Sequence, residues 1–415
     1  MRLLFLTNFY PPVELGGWEQ LCQEIVDALA ARGHDVAVLT SRFRAEQAAQ
    51  AEPHVHRKLF LESDPYHYDP LSVVPHLLRR DAYNLNCLRS MVIEYEPDVV
   101  FMQGMWLLNP QLAVLAEDLC PGRVAYYMAG FWPVNDFEGD PHLVFWRLPS
   151  SKPWVRLIKR PVAWSVSRTF QQRRARTPQF AHLACVSKFV LEDLRRRGLD
   201  LPTGRVIYNG IDLAKFHFPV SSRRSLKPAN APLRLLFAGA ITPQKGTDTA
   251  VQAIARLAER FGPDQLHLTI IGAGSARFVD YLKEMVQEQQ LTSYVTFSGW
   301  VARDTMPHRL RNFDVMLFTS SWQEPLARSM MEGMAAGLAL VSTTTGGSVE
   351  FLQHGVNALT FAAGDPDDLA AQIERLLQEP GLVDRIATGG QETALAHFDF
   401  NRMADEVEAF VRELI

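Results

Sequence analysis

The chain has 415 residues, of which 47% are hydrophobic and 21% are charged, and its formal net charge at pH 7 is -4. This length exceeds one ordinary hydrophobic core, so two domains are expected, and the acidic balance argues against a general nucleic-acid binder. The four cysteines form no CxxC pair, which argues against a disulfide framework or a zinc site and favours a reducing cytoplasm. No stretch approaches the roughly 18 apolar residues that cross a bilayer. We therefore expect a cytoplasmic protein, either in solution or peripheral on the inner face of the membrane.

The first half of the sequence alternates short apolar runs with amphipathic stretches. Arg2–Thr7 is too short for a signal peptide and is typical of a buried first strand. A helix is predicted from near Gly17, with apolar residues at i, i+3 and i+4, and it ends at Gly33. Three more runs have the length of parallel strands buried on both faces: Asp35–Thr40, Asp98–Met102 and Val124–Met128. Residues 1–215 are therefore predicted to form a doubly wound α/β domain.

A second α/β series follows a change in composition. Residues 216–232 are rich in Pro, Ser and basic side chains, which is typical of an interdomain linker. Beyond it, strands and helices alternate again through residues 233–397. The predicted elements are strands Leu233–Ala238, Leu266–Ile271, Val315–Thr319 and Leu338–Ser342, and helices Thr247–Arg260 and Arg277–Gln289. The predicted fold is α/β, with two Rossmann-like domains facing across a cleft, where such folds bind ligands.

The stretch from Glu324 to Glu332 carries the strongest functional signal. Pro325 suits the first position of a helix, and the free N–H groups of Leu326 and Ala327 would then form an anion site. On one helix the two carboxylates would lie about 12 Å apart, whereas glycosidase carboxylates that act on one atom lie roughly 5 to 9.5 Å apart. They can instead accept hydroxyl hydrogen bonds from both ends of an extended ligand such as a nucleotide sugar. The alternative is an ordinary helix with two solvated glutamates.

Two glycine turns follow strands of the second domain. Gly239 to Gly246 joins a strand to a helix and contains Lys245, which can meet a phosphate there or be an exposed turn residue. Gly272 lies in a similar turn, which lets a ligand approach the backbone, although such turns are common in α/β folds.

A third glycine turn lies near the N-terminus. Tyr10–Glu19 places Gly16 and Gly17 at a helix start that faces the same predicted cleft. Because the GxGxxG spacing is absent, this turn does not favour a dinucleotide.

Taken together, these motifs make the sequence resemble glycosyltransferase family 4 over nearly the whole chain. The matching motifs, in the order of the family, are Tyr10–Glu19, Arg32–Val36, Asn209–Asp212, the Lys245-Gly246 turn and Glu324–Glu332. The resemblance implies the GT-B fold and transfer of a sugar from a nucleoside diphosphate to an acceptor hydroxyl, with retention at the anomeric carbon. It implies no cofactor, and a nucleoside-diphosphate sugar, foremost a UDP-sugar, as co-substrate. The acceptor would be a glycan, a lipid-linked molecule or a small molecule.

The resemblance also implies roles for individual residues. Glu324, the catalytic candidate, would contact the hexose hydroxyls, Glu332 would hold the ribose, and Lys245 would neutralise the diphosphate. Trp300 and Val301 match the segment that receives the base. The remaining donor-binding candidates are Gly16, Gly17, Asn209, Gly239, Gly246, Gly272, Pro325, Leu326, Ala327 and Arg328. The acceptor-binding candidates are Glu19, Gln103, Ala129, Trp132 and Asn135. The last helix, within residues 398–415, is expected to cross back onto the N-terminal domain.

Two positions depart from the family pattern. Ala240 stands where the family commonly has Arg, and Ala129 stands where it usually has His. Arg328 would supply the missing charge or simply pair with Glu324, four residues earlier. No DxD motif lies at a strand end, and Asp365–Asp368 is typical of an acidic helix start, so transfer without a metal is expected. The departures leave open an inactive paralogue that acts as a binding module, and an epimerase or phosphorylase on the same fold is a further alternative.

One segment, Trp146–Arg176, is basic and aromatic in an otherwise acidic chain. It has nine Arg and Lys residues, three tryptophans and no Asp or Glu. It would dock on an anionic membrane surface, as suits a lipid-linked acceptor, or form a lid over a negatively charged acceptor. The plainer interpretation is a solvated helix face whose tryptophans pack inward.

Overall fold

The computed structural model describes residues 1–14, 16–48, 52–65, 79–134, 159, 161–164, 168, 176–220 and 231–415. The chain divides into two compact units, one of Met1–Ile207 with Ala404–Ile415 and one of Tyr208–Met403. Among the described residues, no helix combines the length and the apolar character needed to cross a bilayer.

The first unit ends earlier in the sequence than the predicted domain end at residue 215. Residues 208–216 belong to the second unit, where the Ile211 N–H donates to the Phe398 carbonyl at 2.9 Å and the Phe400 N–H donates to the Ile211 carbonyl at 3.0 Å. Of the predicted linker at 216–232, residues 221–230 lie outside the described residues.

The first unit is built on a seven-stranded sheet in the order β3-β2-β1-β4-β5-β6-β7, in which all neighbours pair in parallel. Its strands are β1 (Arg2–Thr7), β2 (Asp35–Ser41), β3 (Val55–Leu59), β4 (Val99–Gly104), β5 (Val124–Met128), β6 (His182–Cys185) and β7 (Arg205–Val206). Its helices are α1 (Gly17–Ala31), α2 (Asp81–Tyr95), α3 (Gln111–Leu119) and α4 (Lys188–Arg196). The central strands β4 and β5 are buried at every residue, which explains their unbroken apolar runs.

The second unit repeats this architecture with a six-stranded parallel sheet in the order β10-β9-β8-β11-β12-β13. Its strands are β8 (Leu233–Ala238), β9 (Leu266–Ile271), β10 (Val295–Gly299), β11 (Val315–Phe318), β12 (Ala339–Thr343) and β13 (Leu359–Phe361). Its helices are α5 (Leu213–Phe216), α6 (Thr247–Ala258), α7 (Ala276–Glu288), α8 (Met306–Leu310), α9 (Arg328–Ala335), α10 (Pro366–Gln378) and α11 (Leu382–His397). Strand order reverses between β8 and β11, so the loops that follow these two strands lie side by side at the usual ligand-binding edge.

The last helix, α12 (Phe400–Arg412), returns the chain to the first unit, to which residues 404–415 belong. Its Glu408 carboxylate accepts a hydrogen bond from Arg32 Nη1 at 2.7 Å and lies 3.0 Å from His34 Nε2. Arg412, one turn further on the same helix, also donates to Glu408. Hydrogen bonds from Arg32 and Arg412 lower the pKa of Glu408 from 4.5 to about 2.

This contact predicts an acid-sensitive stability for the first unit. Glu408→Gln should lower its free energy of unfolding at pH 7 by about 1–2 kcal/mol, since charge-assisted hydrogen bonds contribute less where they are partly exposed. Because the folded pKa lies below the unfolded value, this stabilisation is present above pH 4.5 and is lost as the pH falls towards 2. Scanning calorimetry should therefore show a lower thermal midpoint for Glu408→Gln than for the wild type, and this difference should narrow below pH 4.5. Glu192→Gln, at an exposed position of α4, is the matched control, and its thermal midpoint should equal that of the wild type. A difference in midpoint between Glu408→Gln and the wild type that does not change with pH would contradict the role of Glu408.

Candidate functional site

Three loops at the carboxyl edge of the second sheet form one hydrogen-bonded framework. The loop after β11 is joined to the loop after β8, because the Ser321 N–H donates to the Gln244 carbonyl at 2.9 Å and Thr319 Oγ1 donates to the Lys245 carbonyl at 2.8 Å. The loop after β12 is joined to the loop after β11, because the Gly347 N–H donates to the Glu324 carbonyl at 2.8 Å. Hydrogen bonds between the loops therefore hold the backbone around the predicted site in place.

Glycine is required where these loops approach most closely. Gly346 has a φ of +58°, and a Cβ there would lie 1.9 Å from the Glu324 carbonyl oxygen. Gly272 has a φ of +152°, and its Cβ would lie 1.8 Å from the Gly239 carbonyl oxygen. Close approach of the Gly239 backbone therefore requires glycine at position 272. At Gly239, no atom lies within 4 Å of where a Cβ would be, so that turn is open.

Glu324 and Lys245, both predicted site residues, contact each other. Glu324 is 6% exposed, and its Oε1 lies 2.6 Å from Lys245 Nζ. The lysine side chain is 30% exposed, and Nζ also lies 5.9 Å from the centroid of the Trp322 ring. A carboxylate this deeply buried needs a nearby cation, because an uncompensated buried charge is strongly destabilising. The pair places a hydrogen-bond acceptor and a positive charge together at the edge of the sheet.

The predicted helix start at Pro325 is wrong. Helix α9 begins at Arg328, and Ala327 is its N-cap with φ −80° and ψ 119°. Pro325, Leu326 and Ala327 precede the helix, so the N–H groups of the first helical turn belong to residues 328–330. The hydrogen bond that the Glu324 carbonyl accepts from Gly347 holds this segment to the neighbouring loop. The helical spacing of about 12 Å therefore does not apply between Glu324 and Glu332.

Glu332 is paired with a cation that the sequence did not single out. It lies on α9 with 4% of its surface exposed, and its Oε1 accepts a hydrogen bond from Arg303 Nη2. Arg303 opens a short 3-10 turn soon after β10, and its side chain is 32% exposed. Residues 297–299 complete β10, and Trp300 follows with 73% exposure. The signal that could have found Arg303 is a lone arginine just beyond the segment matched to base binding.

The remaining donor-binding candidates have mixed environments. Gly246, with φ +66°, is the N-cap of α6. Arg328 is the first residue of α9 and is buried. Asn209 is also buried in the second unit, whereas Val301 is half-buried.

In the first unit, Glu19 has a structural role. Its Oε2 accepts a hydrogen bond from the Gly16 N–H at 3.0 Å, as in a capping box at the start of α1. This uses the N–H of Gly16, a donor-binding candidate, and the side chain of Glu19, an acceptor-binding candidate. Gly17 is the first residue of the helix.

The remaining acceptor-binding candidates lie at or beyond the ends of β4 and β5, except Asn135, which is outside the described residues. Gln103, in β4, is 1% exposed, and neither atom of its amide has a hydrogen-bond partner within the described ranges. Ala129 directly follows β5, and the ring of Trp132 lies 5.7 Å from that of Phe180 in a T-shaped contact. The acceptor-binding roles of these residues stay predictions.

Asp365 caps α10, and its Oδ1 accepts hydrogen bonds from the N–H groups of Asp367 and Asp368, both at 3.0 Å. The interpretation of this cluster as an acidic helix start is confirmed. In the part of the chain that the structure describes, no group of three His, Cys, Asp or Glu residues is arranged to hold a metal ion.

The segment Trp146–Arg176 lies mostly outside the described residues, and so do Trp146 and Trp154. Trp164 is exposed, with the Arg168 guanidinium 5.2 Å from its ring centroid. Arg176 pairs with Asp118 at 2.7 Å, so one charge of the basic segment is neutralised within the first unit.

Comparison with known families assigns both halves of the sequence. The model for "Glycosyltransferase Family 4" matches residues 15–215, and the model for "Glycosyl transferases group 1" matches residues 232–379. The chain belongs to glycosyltransferase family 4. This confirms the resemblance, and the shared order of elements gives this glycosyltransferase the two Rossmann-like domains of the GT-B fold.

Relatives of this glycosyltransferase include proteins with named activities. It is 26% identical to the glycogen synthase of Mycobacterium tuberculosis over 424 residues, which covers 97% of the chain and 92% of the relative. It is 29% identical to the uncharacterized glycosyltransferase MJ1607 of Methanocaldococcus jannaschii over 208 residues, 49% of the chain and 52% of the relative. It is 32% identical to the lipopolysaccharide core biosynthesis glycosyltransferase LpsE of Rhizobium meliloti over 203 residues, 49% of the chain and 53% of that relative. The matches thus span about half the length of MJ1607 and LpsE and nearly all of the glycogen synthase.

Solved structures share the fold of this glycosyltransferase at low sequence identity. The sucrose-phosphate synthase of Thermosynechococcus elongatus superposes with a TM-score of 0.72 at 19% identity, covering 100% of the chain and 98% of that structure. Anabaena Alr3699/HepE in complex with UDP superposes with a TM-score of 0.69 at 19% identity over the full length of both chains. The predicted GT-B fold is confirmed.

Proposed function

We propose that this glycosyltransferase moves a sugar from a nucleoside diphosphate to an acceptor hydroxyl, with Glu324 and Glu332 at opposite ends of the donor. One observation carries the proposal: both carboxylates are more than nine-tenths buried, and each is paired with a cation at the edge of the second sheet. Keeping two carboxylates away from water beside partly exposed cations adds little to stability compared with apolar packing, so this arrangement favours a role in ligand binding.

Each pair fits one part of such a donor. Glu324 would accept hydrogen bonds from hexose hydroxyls, while Lys245, which is partly exposed, would turn its ammonium group to the diphosphate. Glu332 would accept from the ribose hydroxyls, and the exposed Trp300 would lie near the base. The roles predicted for Gly16, Gly17, Asn209 and Arg328 stay predictions.

We propose a UDP-sugar as donor and a retaining, metal-independent reaction. The structural relative Alr3699/HepE is solved with UDP and with UDP-glucose, which supports the choice of base. Retention is compatible with this site because the leaving phosphate can itself accept the proton of the acceptor hydroxyl. Lys245 would supply positive charge at the leaving group, where other transferases use a metal ion. The acceptor class, the cytoplasmic location and membrane contact through Trp146–Arg176 stay predictions.

A donor panel tests the proposal. UDP-, GDP- and ADP-sugars are added to the protein, thermal midpoints are recorded, and released nucleotide and sugar are identified by chromatography and proton NMR. We expect one base class to raise the midpoint by several degrees at ligand concentrations of about 100 times Kd. Without an acceptor, we also expect slow hydrolysis of the donor, which releases nucleoside diphosphate and free sugar. The anomer of the sugar that forms first should have the same configuration as the sugar in the donor.

Each contrary result of the panel points to a different function. No stabilisation by any donor would contradict the proposal, and binding without turnover would favour an inactive paralogue that acts as a binding module. A sugar epimer as product would favour an epimerase, and a sugar phosphate would favour a phosphorylase.

A further inference from the structure

The Arg303–Glu332 pair ties the turn after β10 to helix α9. The Glu332 side chain is 5% exposed, and its neighbours Met330, Met331 and Met334 on the same helix are fully buried. Arg303 provides the cation from a position 29 residues earlier in the sequence. Without it, the carboxylate would lose the hydrogen bond that orients it.

The contact uses only one side of the carboxylate. Arg303 Nη2 donates to Oε1, and no residue of the described ranges donates a hydrogen bond to Oε2. A carboxylate held on one oxygen by a planar guanidinium presents the other oxygen in a defined direction. That oxygen is then available to a hydroxyl donor on a ligand.

The two ion pairs of the site therefore differ in rigidity. At Glu324 the cation is a lysine, a point charge on a flexible stem that can move to another anion. At Glu332 the cation is an arginine, whose planar guanidinium donates a directed hydrogen bond from Nη2 to Oε1. The Glu332 end is thus built for a ligand group with a fixed position.

From this difference we propose that Arg303 is a positioning residue that makes Glu332 selective for ribose over deoxyribose. The inference depends on the proposed function, because it needs a nucleotide whose sugar lies against Glu332. Arg303 itself contacts the carboxylate and not the ligand. Its removal should therefore cost affinity only where the ligand has the hydroxyl that Glu332 accepts.

The test compares UDP with 2′-deoxy-UDP by isothermal titration calorimetry, or GDP with 2′-deoxy-GDP if the panel favours that base. Loss of a charge-assisted hydrogen bond corresponds to roughly a tenfold to hundredfold change in Kd, so the wild type should prefer the ribonucleotide by about that factor. Arg303→Gln should weaken binding of the ribonucleotide about tenfold and binding of the deoxynucleotide less than about twofold. The ratio of the two Kd values should therefore fall towards one. Arg303→Lys keeps the charge but replaces the planar guanidinium by a flexible ammonium group, so it should retain part of the preference.

Arg309→Gln is the matched control, since this arginine is exposed on the neighbouring helix α8 and should leave the preference unchanged. Equal weakening of both nucleotides by Arg303→Gln would overturn the proposal, because it would indicate a direct contact with phosphate or base, or a purely structural pair. If Arg303→Gln does not fold, an undiminished preference in Arg303→Lys would equally overturn it. Failure of the wild type to bind either nucleotide would instead contradict the proposed function itself.

Discussion

A Glu324→Gln variant is expected to lose at least about 100-fold in kcat while the second unit stays folded. The carboxylate is almost fully removed from water and lies 2.6 Å from Lys245 Nζ, so its charge acts at short range. Glutamine keeps the shape of the side chain. It replaces a charged group that accepts at both oxygens by a neutral group with one acceptor and one donor, so hexose hydroxyls lose charge-assisted hydrogen bonds.

The measurement for this variant is the steady-state release of nucleoside diphosphate from the preferred donor, together with its thermal midpoint. Glu374→Gln is a matched control, because Glu374 lies on α10 of the same unit and pairs with Arg260 at the surface. The control should keep kcat within about twofold, since exposed ion pairs contribute little. A Glu324→Gln enzyme with nearly wild-type kcat would remove this residue from the site.

The second large effect is expected for Lys245→Met, which should weaken binding of the nucleoside diphosphate about 10- to 100-fold. Lys245 is partly exposed, and Ala240 leaves no arginine at the position where the family commonly has one. The loss should therefore grow with the number of phosphates on the ligand. Calorimetry with UDP, UMP and uridine should show a large change for UDP, a smaller one for UMP and less than about twofold for uridine.

Two controls separate binding from folding in the Lys245 experiment. Lys283→Met changes an exposed lysine of α7 in the same unit and should leave all three affinities unchanged. Lys245→Met leaves Glu324 buried without its cation, whereas the double variant with Glu324→Gln removes both charges and should recover stability but not affinity. Equal weakening for UDP and uridine would argue against a diphosphate contact.

The inner strands of both units were predictable because most of their residues are buried and apolar. Val124–Met128 and Leu233–Ala238 have the predicted bounds, and each is a short apolar run at the centre of a parallel sheet. Strand β3, Val55–Leu59, was not predicted because His, Arg and Lys occupy its middle positions at the edge of the sheet. Edge strands lack the pattern that identifies central ones.

The sequence named candidates for the site but did not predict the contacts that they make. The sequence singled out Lys245, Glu324 and Glu332, but the start of α9 was misplaced because Pro325 is a favourable helix-start residue. The Glu324 carbonyl instead accepts a hydrogen bond from the loop after β12. This contact exists because β11 and β12 are neighbours in the sheet, which the local sequence does not show. Arg303 was also missed because its contact is non-local: its partner Glu332 lies 29 residues away, and no local sequence pattern connects the two.

A crystal structure with the best-binding nucleoside diphosphate would show whether the Glu324–Glu332 stretch binds the donor. The predicted result has a ribose hydroxyl within hydrogen-bond distance of the Glu332 carboxylate, roughly 2.5 to 3.2 Å, with the diphosphate next to Lys245 Nζ. A nucleotide bound with its ribose away from Glu332 and its phosphates away from Lys245 would contradict donor binding by this stretch.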